Sequence, residues 1–200
     1  MYFFVPSDEK SASMYAGRWV AVATEAEEVR QRPRMYFGLR RTDPALPGAI
    51  ARIVAAEPFG WSHDPVDVEL HVDGNLTFTV TDNGAVPCAS GMPLLDRNGC
   101  LLDRRRWTLA AAAAVSRRAS VEVHASGRRW RQTLTGTAPD GEPVDCGACD
   151  GTLTRITFEL DAGYFGPDAA LPADTAYLWP SDGVRTTRST FTVTDLRRAA

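Results

Sequence analysis

From residue 66 onward apolar and polar side chains alternate with a period of two. Val66, Val68, Leu70 and Val72 fall on one face and Asp67, Glu69 and His71 on the other, which predicts a half-buried strand. Asp73-Gly74-Asn75 is the expected turn and Leu76 to Val80 the returning strand. The same alternation predicts a second hairpin, Ala119 to His124 and Arg129 to Thr135, turning at Ser126-Gly127. Leu153 to Leu160 reads as a fifth strand and Arg188 to Leu196 as a last one. Three segments have helical character instead. Ala23 to Arg32 opens on Thr24 with Glu27 three residues later, a capping-box spacing, and is ended by Pro33. Ala49 to Glu57 is stopped by Pro58 and Gly60, and Trp107 to Ser116 is alanine-rich, able to lie close against a sheet. Residues 83 to 106 show no sustained period and read as a long irregular connection. The loop with Pro139, Gly141 and Pro143 and the Pro- and Gly-rich stretch from Gly163 to Asp182 complete the chain.

Helix, helix, strand, strand, long loop, helix and three further strands make an α+β fold. The expected form is a two-layer sandwich, with helices on one face of a mixed, mostly antiparallel sheet. Residues 1–20 are expected to form an N-terminal strap and residues 21–200 a single domain. At 200 residues and 44% hydrophobic content the chain can bury a core without disulfides. Its formal charge of −3 gives no general basic footprint, so direct DNA binding is not expected, although all the basic residues but Lys10 are arginines. No apolar run approaches the roughly 20 residues of a membrane span, and a cytoplasmic protein without membrane contact is expected. Cys88, Cys100, Cys146 and Cys149 include one C-x-x-C pair. Zinc would call for a second tight pair, so loop thiols are the plainer reading.

Four ordered stretches resemble one known family. Glu28-Val29-Arg30-Gln31-Arg32-Pro33-Arg34-Met35-Tyr36-Phe37-Gly38 resembles the V-R-x-R-P-x-M-Y-x-G run opening the ATPase domain of bacterial type II topoisomerases, the gyrase B and ParE subunits. Thr79 to Pro87 is similar to the family's strand followed by D-x-G-x-G-I-P. Gly127 to Gln132 resembles its hairpin ending in H-R-Q, and Gly151 to Ile156 its G-T-x-V-x-F strand. The fold this implies is the Bergerat (GHKL) ATPase fold.

The resemblance implies that Asp82 binds an adenine amino group, helped through a water by Thr152. Gly84 would let the backbone approach the ring, Pro87 would form a wall, and Arg131 would lie at the pocket mouth. A buried carboxylate at a strand end can read an exocyclic amine in any case, while a turn-capping role for Asp82 stays open. The phosphate side departs from the family pattern. The positions of the water-activating Glu and magnesium-holding Asn read Ala55 and Phe59, which supply neither base nor oxygen. Glu57 is the only carboxylate on that helix, and no Asn follows it. Asp103-Arg104-Arg105-Arg106-Trp107-Thr108 replaces a phosphate-cradling glycine turn, and reads either as a solvated basic turn or as a residual phosphate attractor. A stand-alone pseudo-ATPase is therefore expected, binding an adenine-site ligand (ATP, ADP or an aminocoumarin-like inhibitor) or a gyrase-related partner. No catalytic residue or metal ligand is expected, nor is magnesium. The alternatives are a working ATPase using Glu57, and an interaction module in which Phe59 and Trp107 fill the nucleotide space. Monomer and dimer both stay open.

Overall fold

The computed structural model describes residues 13–15, 18–20, 25–62, 64–84, 88–89, 92–93, 95, 99–102, 106–180 and 188–198. Alternating sequence becomes strands paired into sheets. In chain order these are β1 (Ser13–Tyr15), β2 (Arg18–Val20), β3 (Asp67–Gly74), β4 (Thr77–Asp82), β5 (Cys88–Ala89), β6 (Met92–Pro93), β7 (Ser116–Ala125), β8 (Arg128–Thr135), β9 (Ala138–Pro139), β10 (Val144–Ala148), β11 (Leu153–Leu160) and β12 (Thr190–Asp195). The helices are α1 (Glu25–Gln31), α2 (Pro33–Phe37), α3 (Leu46–Trp61), α4 (Trp107–Ala114) and α5 (Ala162–Phe165). The main sheet has eight strands, in the order β10-β8-β7-β11-β4-β3-β12 with β9 paired to β8. Every pairing in it is antiparallel except β12 with β3, so the sheet is mixed and mostly antiparallel.

The period of two decides which face is covered. Val68, Leu70, Val72, Phe78, Val80, Val121, Ile156, Phe158 and Leu160 are buried and project toward the helices, with Phe78 and Phe158 stacked at 5.2 Å. Helix α3 packs on β3 and β4, and α4 packs on β7 and β11. The other face carries Glu69, His71, Thr79, Glu122, Arg131, Arg155 and Thr157, among which the Thr79 and Thr157 hydroxyls lie 2.8 Å apart. Helices on one face of a half-polar sheet make an α+β two-layer sandwich.

Several boundaries differ from the sequence expectation. Pro33 ends α1, but its fixed φ also makes it the first residue of α2, which closes on Gly38 at φ +76°. Helix α3 runs from Leu46 through Pro58 to Trp61; Pro58 lies in the last turn, where its missing N–H leaves one carbonyl without a helical donor and its own carbonyl accepts the N–H of Ser62 at 3.1 Å. The first hairpin turns at Asn75-Leu76, and β4 begins at Thr77. Ser116 starts β7 instead of ending α4, its hydroxyl donating to the Ala112 carbonyl at 2.7 Å. Strand β10 occupies a stretch expected to be loop. The Thr24 cap, Pro87 and the connection's Arg104 and Arg105 lie outside the described residues, as do residues 1–12 of the expected strap.

The R-x-R-P run works here as a clamp. Arg30 donates to the Ala114 carbonyl at 3.0 Å and to Asp161 at 2.5 Å, and its guanidinium lies 4.8 Å from the centre of the Tyr164 ring. Arg41 approaches the same ring at 4.7 Å and donates to the Tyr164 carbonyl. The Tyr164 hydroxyl closes the circuit on the Arg30 carbonyl at 2.9 Å. Arg30 holds the Asp161 carboxyl below its ordinary pKa, and the cluster ties α1 to the end of α4 and to α5. Among the described residues, no helix is long and apolar enough to cross a membrane.

One packing constraint is testable directly. A Cβ added at Gly48 in α3 would sit 2.8 Å from Cδ of Pro172, a ring that cannot swing away, whereas one at Gly60 meets nothing within 4 Å. Gly48→Ala is expected to cost about 1–3 kcal/mol, and Gly60→Ala to be neutral or stabilising by up to about 1 kcal/mol. Urea unfolding of both variants checks the contrast.

Candidate functional site

Strand β4 ends its alternation on a charge. Asp82 keeps the core phase of Phe78 and Val80, so its carboxylate is carried to the covered side of the sheet, where its side chain is 1% exposed. Burying a carboxylate there requires donors, and the turn after β4 and the start of α4 supply them. The Gly84 N–H donates to Oδ1 at 3.1 Å, closing a short turn on the strand end. Arg106, at the start of α4, donates from Nη2 to Oδ2 at 2.9 Å and from Nε to Oε2 of Glu57 at 3.2 Å. Glu57, on the last turns of α3 and with a side chain 7% exposed, takes a second bond from the Thr108 N–H at 3.2 Å. One guanidinium thus bridges two buried carboxylates. Burial pushes both carboxyls above their ordinary pKa, and the Arg106 charge opposes that shift in each.

The sheet register extends this cluster into a polar row. On the covered face Asp82 pairs with Thr154 of β11, Thr154 with Val123 of β7, and Val123 with Trp130 of β8. Thr154 is 2% exposed, and its hydroxyl has no hydrogen-bond partner among the described residues; the Trp130 indole N–H is likewise buried without one. A threonine between Ile156 and the strand end, in the same phase, breaks an otherwise apolar face immediately beside Asp82. The row combines a carboxylate, a hydroxyl and an indole donor at one end of the sheet, a pattern suited to orienting a planar polar ligand.

The other sequence candidates are placed unevenly. Gly84 is buried against Asp82, with its φ outside the left-handed region. Thr152 is exposed, and its hydroxyl donates to the Asn83 carbonyl at 2.9 Å, tying the Asp82 turn to the start of β11. Arg131 is not brought to Asp82. Opposite Glu122 in the β7–β8 register, it stands on the uncovered face and donates to that carboxylate at 2.8 Å. The reason is parity, since Trp130 takes the covered side and its neighbour must take the other. Glu122 also contacts His124 at 3.0 Å, and these bonds outweigh its partial burial to hold its carboxyl below the ordinary pKa. Gln132, the end of the same motif, is buried; its amide accepts from the Leu101 N–H and donates to the Gly99 and Gly141 carbonyls, pinning the connection before α4.

Phe59 packs edge-on against Phe191 of β12 at 6.3 Å, in an aromatic group completed by Trp179, and Trp107 is 51% exposed. Ala55 is fully buried. Arg106 corrects the expectation of a solvated basic turn: its side chain is 14% exposed because two buried anions hold it. Among the cysteines, Cys100 is buried and Cys146 and Cys149 are half-buried and free of disulfides, while the Cys88 side chain lies outside the described residues. Among the described residues, no group of three or more His, Cys, Asp or Glu side chains is arranged to hold a metal ion. No protein-family model matches the chain, and no curated protein matches it at a significant level.

The bridge has a pH signature. Arg106→Met leaves two buried carboxylates without their cation and is expected to cost about 3–5 kcal/mol near neutral pH. A carboxyl whose folded pKa is raised contributes stability that is present below its unfolded pKa and lost as pH rises through the folded one. The deficit of Arg106→Met should therefore shrink as the pH falls toward the unfolded carboxyl range. Urea unfolding at about pH 7 and about pH 4.5 reads the difference, and adding Asp82→Asn and Glu57→Gln should remove it.

Proposed function

We propose that this chain is a gyrase-B-like, non-hydrolysing domain that binds an adenine-site ligand through Asp82. The observation that carries the reading is the buried Asp82 carboxylate, backed by the Gly84 N–H and standing in register beside a Thr154 hydroxyl with no partner among the described residues. Discrimination by such a site is strong, because a ligand without a matching N–H leaves buried polar groups unpaired. Thr152 supports the site indirectly, through Asn83, and Arg131 has no part in it.

The same geometry supports binding without turnover. Both Glu57 oxygens are engaged, Oε2 by the Arg106 guanidinium and Oε1 by the Thr108 N–H, so the carboxylate is oriented by the chain's own donors. A general base must reach the proton it takes, and Glu57 is committed elsewhere. Ala55 and Phe59, at the positions expected for the catalytic pair, bring no replacement. Arg106 holds the Asp82 carboxylate, so a ligand that takes the same oxygen must displace it, and the apparent affinity is reduced by the fraction of chains in which the arginine has moved. A partner related to gyrase is a second part of this reading, carried by the resemblance alone.

Isothermal titration calorimetry with ATP, ADP and an aminocoumarin, with and without magnesium, tests the proposal. Binding of at least one of them is expected, weakened at least about tenfold by Asp82→Asn and indifferent to magnesium, with no phosphate released from ATP. Magnesium-dependent turnover lost in Glu57→Gln would establish the ATPase alternative. Absence of binding by all three would leave the fold as a scaffold for interaction.

A further inference from the structure

Resting on Asp82 as the ligand contact of that reading, and not on adenine as the ligand, the Arg106 contacts say more about what the site takes. Nε and Nη2 form one edge of the guanidinium, and each delivers a single N–H to a different carboxylate, at 3.2 Å to Glu57 and 2.9 Å to Asp82. The two acceptors therefore face one flat, doubly donating cationic edge. An unprotonated adenine edge does not reproduce it, since its amino donor sits beside a ring-nitrogen acceptor. With the donor on Asp82, that ring nitrogen would oppose the Glu57 oxygen, lone pair against lone pair. Charge points the same way. A neutral ligand that displaces Arg106 leaves two buried anions without a counter-charge, which burial penalises.

We propose that the Asp82–Glu57 pair selects a planar monocation with two parallel N–H donors, of the amidinium or guanidinium class, and that Arg106 is the chain's own occupant of that subsite. The Thr154 hydroxyl, buried beside Asp82 in the ladder and without a partner among the described residues, is the independent sign that a polar group next to the pair is left for an entering ligand to satisfy. A cation entering edge-on keeps both carboxylates paired and leaves a further N–H to reach that hydroxyl. The raised pKa of both carboxyls has a consequence for adenine too: with Glu57 protonated, its O–H could donate to the ring nitrogen, so neutral adenine-like ligands gain as pH falls while amidines lose. The cation could belong to a free small molecule or to an arginine presented by another protein.

The test compares benzamidine, its neutral isostere benzamide, N-acetyl-arginine amide and adenosine by titration of the 15N-labelled full chain followed by NMR. Benzamidine or the arginine amide should perturb Gly84 and Thr154 and bind at least about tenfold more tightly than benzamide. Whichever of the two cations binds better identifies the source. Glu57→Gln should abolish the preference for charge while retaining or improving adenosine binding, a change that loss of structure would not produce. Arg106→Ala should bind the cations more tightly than the wild type; because that variant loses a buried bridge, the wild-type and Glu57→Gln titrations decide the matter if it does not fold. Equal affinity for benzamidine and benzamide, or adenosine bound with neither cation, would overturn this inference and leave the adenine-site reading standing. No perturbation of Gly84 and Thr154 by any of the four would overturn both.

Discussion

The Arg106 guanidinium holds two largely buried carboxylates, and the arrangement of the site depends on it. Glu57 comes from the end of α3, Asp82 from the end of β4, and Arg106 from the start of α4, so a single side chain fixes the mutual position of three elements far apart in sequence. Either carboxylate alone would be costly to bury, and removal of the arginine would leave both uncompensated. The bridge is therefore less a source of net stability than a condition for this end of the sandwich to close. Gln132 and Thr152 act beside it, the first pinning the approach to α4 and the second fastening the turn after Asp82.

Much of the fold was legible because burial imposes a period on strands. Leu153–Leu160 emerges with the boundaries that its alternation predicts, and the strands of both hairpins shift by no more than three residues at either end. Strand β10 escaped because Val144–Ala148 contains Asp, Cys and Gly and lies at the sheet edge, where one partner suffices and no alternation is enforced. Helix α3 outran its expected stop because a proline in a last turn sacrifices little. That β12 runs parallel to β3 is a fact of long-range pairing, invisible in either strand alone.

The candidate site was half legible. Asp82 is marked by the Asp-Asn-Gly turn, whereas the Gly-Thr resemblance points to Thr152 and the residue in phase with the core is Thr154. The signal was present: Thr154, Ile156, Phe158 and Leu160 share one face, and the first of them is the polar exception. Parity in β8 likewise sends Trp130 toward Asp82's side and Arg131 away from it. Arg106 could not be placed, since nothing local distinguishes an arginine bound to distant carboxylates from one in water. The two faces of the sheet consequently carry separate chemistry, an ionic bridge beside the Thr154 hydroxyl on the covered side and the Arg131–Glu122–His124 cluster on the exposed one.

The claim on which the site account rests is that Arg106 is held by Asp82 and Glu57. The side-chain Nε–H resonance of Arg106, assigned by loss in an Arg106→Lys variant of the 15N-labelled chain, reports on it directly. Held in this way, the Nε–H exchanges slowly with water at neutral pH and becomes fast in Glu57→Gln, because the Nε–H bond goes to that carboxylate. An Nε–H in the wild type that exchanges as rapidly as that of a solvent-exposed arginine such as Arg34 would contradict it.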